Sequence, residues 1–139
     1  MGQTRTYTRA LEQLRSVGLR PTRQRLALAK LLFEQGDRHV TAEQLHGEAT
    51  DALVKVSLAT IYNTLHQFVD AGLLREVVVE PGRSYFDTNT GDHHHFFHES
   101  QGDLIDINDN VLERANIPTP PDGTRVSRVD VVIRVRDEE

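Results

Sequence analysis

The sequence predicts an α+β protein, in which an N-terminal winged helix-turn-helix is followed by a small β-rich domain. Three observations carry this prediction. Apolar residues recur at helical spacing up to about residue 71, and an alternating, strand-like pattern replaces them from residue 76. Residues 1–40 hold eight basic and three acidic residues, whereas residues 76–139 hold six basic and fourteen acidic ones. The basic N-terminal part is therefore suited to binding phosphate groups, and the acidic C-terminal part is not.

The composition limits the classes of protein and of site. A chain of 139 residues allows one compact domain or two very small ones. No apolar run approaches the roughly 18 residues of a membrane span, and the polar N-terminus lacks a signal-peptide core. We therefore expect a soluble, cytoplasmic protein with no membrane partner. The absence of cysteine excludes disulfides, cysteine-ligated structural zinc and thiolate-ligated haem, so that any metal ligands must be His, Asp or Glu.

The first two predicted helices cover residues 8–17 and 22–34. In each of them apolar residues recur on one face, and a glycine follows the last turn. Pro21 disfavours helix at the residue before it, and the hydroxyl of Thr22 can cap the second helix.

Two further helices are predicted from their capping residues. The third begins at Thr41, with Gln44 at the position that completes a capping box. The fourth is capped by Ser57 and runs to Ala71, where Gly72 supplies the stop.

The fourth helix has two contrasting faces. At 100° per residue, one sector of about 100° is apolar and contains Leu58, Ile61, Leu65, Phe68 and Val69. The other side is small and polar, as a helix that reads base edges in the major groove requires. An ordinary amphipathic surface helix is the alternative. With nearby arginines suited to phosphates or the minor groove, the predicted DNA contacts are Arg20, Arg23, Arg25, Ser57, Ala59, Thr60, Tyr62 and Asn63.

Strands dominate the rest of the chain. Residues 76–80 and 84–86, joined by Pro81-Gly82, predict the hairpin wing. Further strands are predicted at 93–97, 103–107 and 126–135, and the proline-rich segment 118–123 cannot be regular helix. The predicted organisation is a winged-helix domain at 1–84, a hinge at 85–91 and a sensing and dimerisation domain at 92–139.

The histidine run at residues 93–95 is the most informative stretch. Strand geometry places His93 and His95 on one face, and Asp92 and His94 on the other. Two imidazoles at this spacing can hold one metal ion, and added carboxylates favour Fe(II), Mn(II) or Zn(II). The alternative is a solvated histidine run without a ligand.

The order of these motifs resembles the ferric uptake regulator (Fur) superfamily over about residues 8–135. The matching pieces are Gly18–Arg25, His39–Glu43, Ser57–Leu65 and Asp92–His95. Within that superfamily the chain looks most like the iron response regulator (Irr) branch. His-His-His is followed by Phe-Phe, and His98 and Gln101 stand where the first pair of zinc-binding cysteines is expected. The proline-rich segment also stands where a helix between the dimerisation strands is expected.

The resemblance implies two metal sites and contacts with an operator. A regulatory site with Fe(II) or Mn(II), or Zn(II) as purified, falls on His39, Asp87, His93, His95 and Asp106. A second site falls on Asp92, His94, Glu113 and Asp130, where Asp130 replaces a usual histidine. Irr-like proteins also imply haem binding by the histidine run, here His93, His94 and His95. In the DNA-binding half, the resemblance places Arg20 in the minor groove, and Tyr62 and Asn63 on the operator.

We therefore expect a bacterial transcriptional regulator of iron or haem homeostasis rather than an enzyme. The strands after Gly91 are too few to bury a core alone, which predicts a homodimer on a two-fold related double-stranded operator. A peroxide- or manganese-sensing repressor is an alternative with the same five ligands. A small non-haem metalloenzyme with two histidines and a carboxylate is another, although five ligands would leave little room for a substrate.

Overall fold

A computed structural model of the protein describes residues 2–91, 93–108 and 116–138. The chain divides into two compact units, Met1–Thr90 and Gly91–Glu139. This boundary lies inside the predicted hinge, although residues 85–87 belong to a strand of the first unit. Within the described ranges, no helix is both long enough and apolar enough to cross a membrane.

Four helices build most of the first unit: α1 (Gly2–Ser16), α2 (Arg23–Phe33), α3 (Ala42–Asp51) and α4 (Leu58–Asp70). Helix α1 begins earlier than the predicted residue 8. The three predicted N-caps are confirmed, since the side chains of Thr22, Thr41 and Ser57 each accept a hydrogen bond from a backbone amide three residues on. Gly72 has a φ of 86°, the left-handed conformation that favours glycine after a helix.

The core of the first unit joins all four helices and the sheet. Ile61, Leu65 and Phe68 of α4 are fully buried, which confirms its predicted apolar face. Full burial of one such side chain is worth about 1.5–3 kcal/mol, so this face fixes α4 in place. These three side chains of α4 pack with the other buried residues of the core, which are Ala10, Leu14, Leu28, Ala29, Leu32, Val40, Ala42, Leu45, Ala49, Leu74 and Phe86.

A three-stranded antiparallel sheet completes the first unit. The predicted hairpin forms from β2 (Arg75–Glu80) and β3 (Arg83–Asp87), and its turn contains Gly82 at a φ of 75°. A short strand that was not predicted, β1 (His39–Val40), pairs with the end of β3, giving the order β1-β3-β2. This pairing places His39 directly opposite Asp87.

The second unit is a three-stranded sheet in the order β5-β4-β6. Its strands are β4 (His94–His98), β5 (Asp103–Ile107) and β6 (Val132–Val135). Strand β4 is antiparallel to β5 and parallel to β6. The last strand is shorter than the predicted 126–135, and residues 116–131 form no helix or strand. Pro118, Pro120 and Pro121 cannot donate ladder hydrogen bonds at the start of that segment.

Candidate metal centre and nucleic-acid interface

Three potential metal ligands meet at one end of the second sheet. His95 and Asp106 are cross-strand partners on β4 and β5, and Nε2 of His95 lies 3.3 Å from Oδ1 of Asp106. Nε2 of His93 lies 3.6 Å from the same oxygen. The two imidazole rings contact each other edge to face, with centroids 4.5 Å apart. All three residues offer ligand atoms within 4.8 Å of one another, as binding to a single ion requires.

The hydrogen bonding of His93 indicates which of its two ring nitrogens is available to bind a metal ion. Its Nδ1 lies 2.7 Å from the carbonyl oxygen of Gly91, and a carbonyl can only accept, so Nδ1 carries the proton. In the neutral ring the lone pair is then on Nε2, which faces the Asp106 carboxylate. A lone pair and a carboxylate oxygen that face each other repel, and either a second proton on the imidazole or a bound metal cation relieves this repulsion. The donor set therefore fits a divalent metal ion.

The first unit holds a second His–Asp pair, on its own sheet. His39 on β1 stands opposite Asp87 on β3, and Arg75 on β2 stands opposite Asp87 from the other side. Asp87 is almost fully buried, and its Oδ1 accepts a hydrogen bond from the amide of Asn89. The ring of His39 also contacts that of Tyr85, edge to face. Strand pairing thus places together two predicted ligands that are far apart in the sequence.

Of the second predicted metal set, Asp92 and Glu113 lie outside the described residues. His94 is buried, and its Nδ1 accepts a hydrogen bond of 3.1 Å from the amide of Val131. The carboxylate of Asp130 accepts a bond of 2.8 Å from Nε of Arg128. The chain at Asp130 is therefore held beside His94, and the use of these residues as ligands stays a prediction.

A hydrogen-bonded cluster, here called the His98 cluster, occupies the β4–β5 turn, where His98 and Gln101 stand in place of the first cysteine pair of the family. Nδ1 of His98 accepts from the amide of Gln101, so Nε2 carries the proton that is donated to Oδ1 of Asp137, at 2.9 Å. The hydroxyl of Ser100 donates to the other oxygen of Asp137. These bonds, which involve no thiolate, fasten the turn to the chain that follows β6.

The predicted DNA-reading residues lie in the loop before α2, in the first turn of α2, at the N-cap of α4 and in the first turns of α4. Arg20, Arg23, Ala59 and Asn63 are exposed, as contacts with DNA require. Ser57 has a local role in addition, because its hydroxyl caps α4 and donates to the hydroxyl of Thr60, 2.9 Å away.

Arg25 lies between the two parts of this surface. Its guanidinium donates two hydrogen bonds to the amide oxygen of Gln67 on α4, at 3.0 and 3.2 Å. It also donates to the carbonyl of Arg20 at 2.8 Å. Arg25 therefore holds the Arg20 loop against the recognition helix, in addition to any contact with phosphate. Sequence reasoning assigned only the phosphate contact, since Gln67 is 42 residues away.

Tyr62 contacts a residue that sequence reasoning missed. Its hydroxyl donates a hydrogen bond of 2.6 Å to Oε1 of Glu43 on α3. This bond lowers the pKa of Glu43 and raises the pKa of Tyr62, because it stabilises both the carboxylate and the protonated phenol. No local sequence signal indicates this pair, since the two residues meet only when α3 and α4 pack.

The winged-helix unit and the histidine centre together define a metal-responsive transcription regulator. Residues 16–133 match the Ferric uptake regulator family. The Ferric uptake regulation protein of Vibrio cholerae is 34% identical over 104 residues, covering 74% of this chain and 69% of that protein. The Peroxide-responsive repressor PerR of Staphylococcus aureus is 34% identical over 98 residues, covering 70% and 66%. The structure of the ferric uptake regulator from Pseudomonas aeruginosa with manganese superposes with a TM-score of 0.71 at 27% identity, covering 94% of this chain and 98% of that one.

The chain belongs to the ferric uptake regulator family. The predicted α+β class, with an N-terminal DNA-binding domain and a C-terminal dimerisation domain, is confirmed. Members of the family are transcription regulators that bind operator DNA as dimers, and they are not enzymes. The metalloenzyme alternative is thereby excluded.

Proposed function

We propose that the protein regulates iron homeostasis, binding operator DNA in response to a divalent ion, Fe(II) or Mn(II). The ion would be held by His93, His95 and Asp106 of the second unit, and by His39 and Asp87 of the first. The observation that carries the proposal is the convergence of Nε2 of His93 and Nε2 of His95 on the same carboxylate oxygen of Asp106, at 3.6 and 3.3 Å. Nitrogen and oxygen donors without sulfur suit Fe(II) and Mn(II), although Zn(II) can occupy the same donors as purified.

The metal would supply a link between the two units. His39 and Asp87 come from the DNA-binding unit, and the remaining ligands come from the sheet unit. An ion that binds both sets would set the orientation of the recognition helices relative to the dimerisation domain. Only an ion with a higher affinity for one orientation can shift the equilibrium toward it.

Homodimerisation of this chain is part of the proposal and is supported by one face of the second sheet. Phe96 on β4 pairs with Ile105 on β5 and with Ile133 on β6, forming an apolar row across three strands. Ile105 is 49% exposed and Ile133 38% exposed in the single chain. A second copy that covers this row would remove it from water.

We also propose membership of the Irr branch. The chain has no cysteine, and the His98 cluster stands at the predicted position of the cysteine pair. Haem binding by His93, His94 and His95 is the second function to test. The edge-to-face contact of His93 and His95 leaves no room for a porphyrin between them, so these two would not form a trans-axial pair in this arrangement.

The test combines metal analysis with DNA binding. Protein purified without chelator is assayed for bound metal, and an operator selected from random DNA is titrated with Mn(II), anaerobic Fe(II), haem or no addition. We expect one ion per chain and a change in operator affinity of at least tenfold with Fe(II) or Mn(II). A response to haem alone would assign the haem function, and loss of the Fe(II) response after dilute peroxide would assign the peroxide-sensing alternative. Equal affinity in all conditions would contradict the proposal.

A further inference from the structure

Arg38 connects the strand that carries His39 to two helices of the DNA-binding unit. Its guanidinium binds both carboxylate oxygens of Glu48 on α3, with Nη1 at 2.9 Å from Oε1. The same Nη1 donates to the carbonyl of Leu31 on α2, at 3.2 Å. The Arg38 and Glu48 side chains are only 20% and 31% exposed. A bidentate, partly buried pair of this kind is more directional and stronger than an exposed surface ion pair.

The backbone of Arg38 is fixed on the opposite side, next to the proposed ligands. Its amide donates to the Thr88 hydroxyl at 2.9 Å, and the Thr88 amide donates to the Arg38 carbonyl at 2.9 Å. Arg38 precedes His39 and Thr88 follows Asp87, so these bonds extend the pairing of His39 with Asp87 by one position. A displacement of His39 or Asp87 on metal binding would therefore displace Arg38.

Helix α3 carries this displacement to the reading surface. Glu48 lies on the same helix as Glu43, which binds the hydroxyl of Tyr62 on α4. Leu45 and Ala49 of α3 are fully buried in the core shared with α4. Packed interiors transmit small shifts as whole-element movements, because they have little free volume to absorb them.

We propose that Arg38 is a positioning residue that couples occupancy of the metal centre to the orientation of the helix-turn-helix. This inference rests on the proposed function, and it adds the route by which the metal would act on DNA binding. Neither Arg38 nor Glu48 is a metal ligand or a DNA contact in the proposal. Their role would be to make the strand that holds His39 and the helix before the recognition helix move together.

The test measures coupling rather than affinity. Arg38→Lys keeps the charge and removes the bidentate fork, whereas Glu48→Gln is isosteric and removes the charge. For each variant the operator Kd is measured with and without Mn(II), and the Mn(II) Kd with and without operator. We expect each variant to bind Mn(II) in the absence of DNA with an affinity within about twofold of wild type. The factor by which Mn(II) changes the operator Kd should be at least fivefold smaller in each variant than in wild type. By linkage, the effect of operator on Mn(II) affinity must shrink by the same factor.

Controls separate this role from general stabilisation. Arg136→Lys alters an exposed arginine of the second unit and should keep the wild-type ratio. The double variant Arg38→Lys/Glu48→Gln should lose no more coupling than either single variant, because the two act as one unit. A wild-type ratio in Arg38→Lys and Glu48→Gln would overturn the inference. Absence of Mn(II) dependence in the wild-type protein would instead overturn the proposed function.

Discussion

Nε2 of His95 faces Oδ1 of Asp106 across the β4–β5 pair, at 3.3 Å, from directly opposed positions of the two strands. The imidazole is almost fully buried, whereas the carboxylate is 42% exposed. One partner is therefore enclosed by protein and the other reaches solvent, so an ion bound at the proposed site would be approached from the carboxylate side.

Removal of either partner should weaken metal binding. We expect His95→Ala and Asp106→Asn to lower Mn(II) affinity at least tenfold, about 1.4 kcal/mol, as measured by isothermal titration calorimetry. Asp103→Asn, on the same strand but opposite His98, is the matched control and should bind Mn(II) as wild type does. Unchanged affinity in both ligand variants would place the metal elsewhere.

His39 and His93 should have separable roles. His93→Ala should lose most of the bound metal, because it removes one of the clustered nitrogen donors. His39→Ala should still bind metal, more weakly, and its operator binding should depend less on metal than in wild type, since Asp87 is then the remaining proposed ligand from the DNA-binding unit. Fluorescence anisotropy with labelled operator, with and without Mn(II), measures both. A full metal response in His39→Ala would contradict a link through β1.

The DNA-reading surface is tested by Arg20→Ala and Tyr62→Ala. Each should weaken operator binding by about 1–3 kcal/mol while circular dichroism stays near wild type. Tyr62→Ala should in addition lower the unfolding temperature, because it removes the hydrogen bond to Glu43 and a ring that packs on the core. Arg136→Ala removes an exposed arginine from the second unit and should leave operator affinity unchanged. Wild-type affinity in both helix-unit variants would remove α4 and its neighbouring loop from the reading role.

The Tyr62–Glu43 hydrogen bond should appear in the titration of Glu43. The bond lowers the Glu43 pKa, so its stabilising effect is present above the unfolded-state pKa and is lost as the pH falls through the folded value. In Tyr62→Phe the pKa of Glu43 should rise toward its ordinary value. Carboxyl chemical shifts in NMR report this pKa directly, and an unchanged pKa would show that the bond does not form in solution.

Charge in the apolar row should prevent dimer formation. Ile133→Asp would bury a carboxylate against a second copy of the chain, so we expect it to sediment as a monomer at micromolar concentration, where we expect the wild type to sediment as a dimer. Val78→Asp changes an exposed strand residue of the first unit and should leave the dimer intact. A dimeric Ile133→Asp variant would place the interface on another surface.

The starts of three helices were predicted correctly from residues close to them in the sequence. The hydroxyls of Thr22, Thr41 and Ser57 cap the predicted helices, because a cap depends on residues within one turn. Strand β1 was missed, since its two residues are stabilised by β3, more than 40 residues away. Strand β6 is shorter than predicted for a similar reason, because the number of its residues that form ladder hydrogen bonds depends on the partner strand β4.

The candidate metal site also has one part that local sequence predicts and another part that depends on the pairing of distant strands. Alternation in a strand predicted the meeting of His93 and His95, whereas their approach to Asp106 needs the register of β4 on β5. The resemblance to a family supplied His39 and Asp87 as ligands, and strand pairing places them opposite each other. Arg38 carried no signal in the sequence, because its partner Glu48 follows on a separate helix.

The His98 cluster has a consequence for how the protein withstands stress. Its hydrogen bonds use only nitrogen and oxygen atoms, so the turn offers no sulfur for an oxidant to attack. If the proposed metal site is emptied, these bonds are retained, since none of them involves a proposed ligand of that site. The regulator could lose and regain its signal repeatedly without passing through an unfolded form that proteases would degrade.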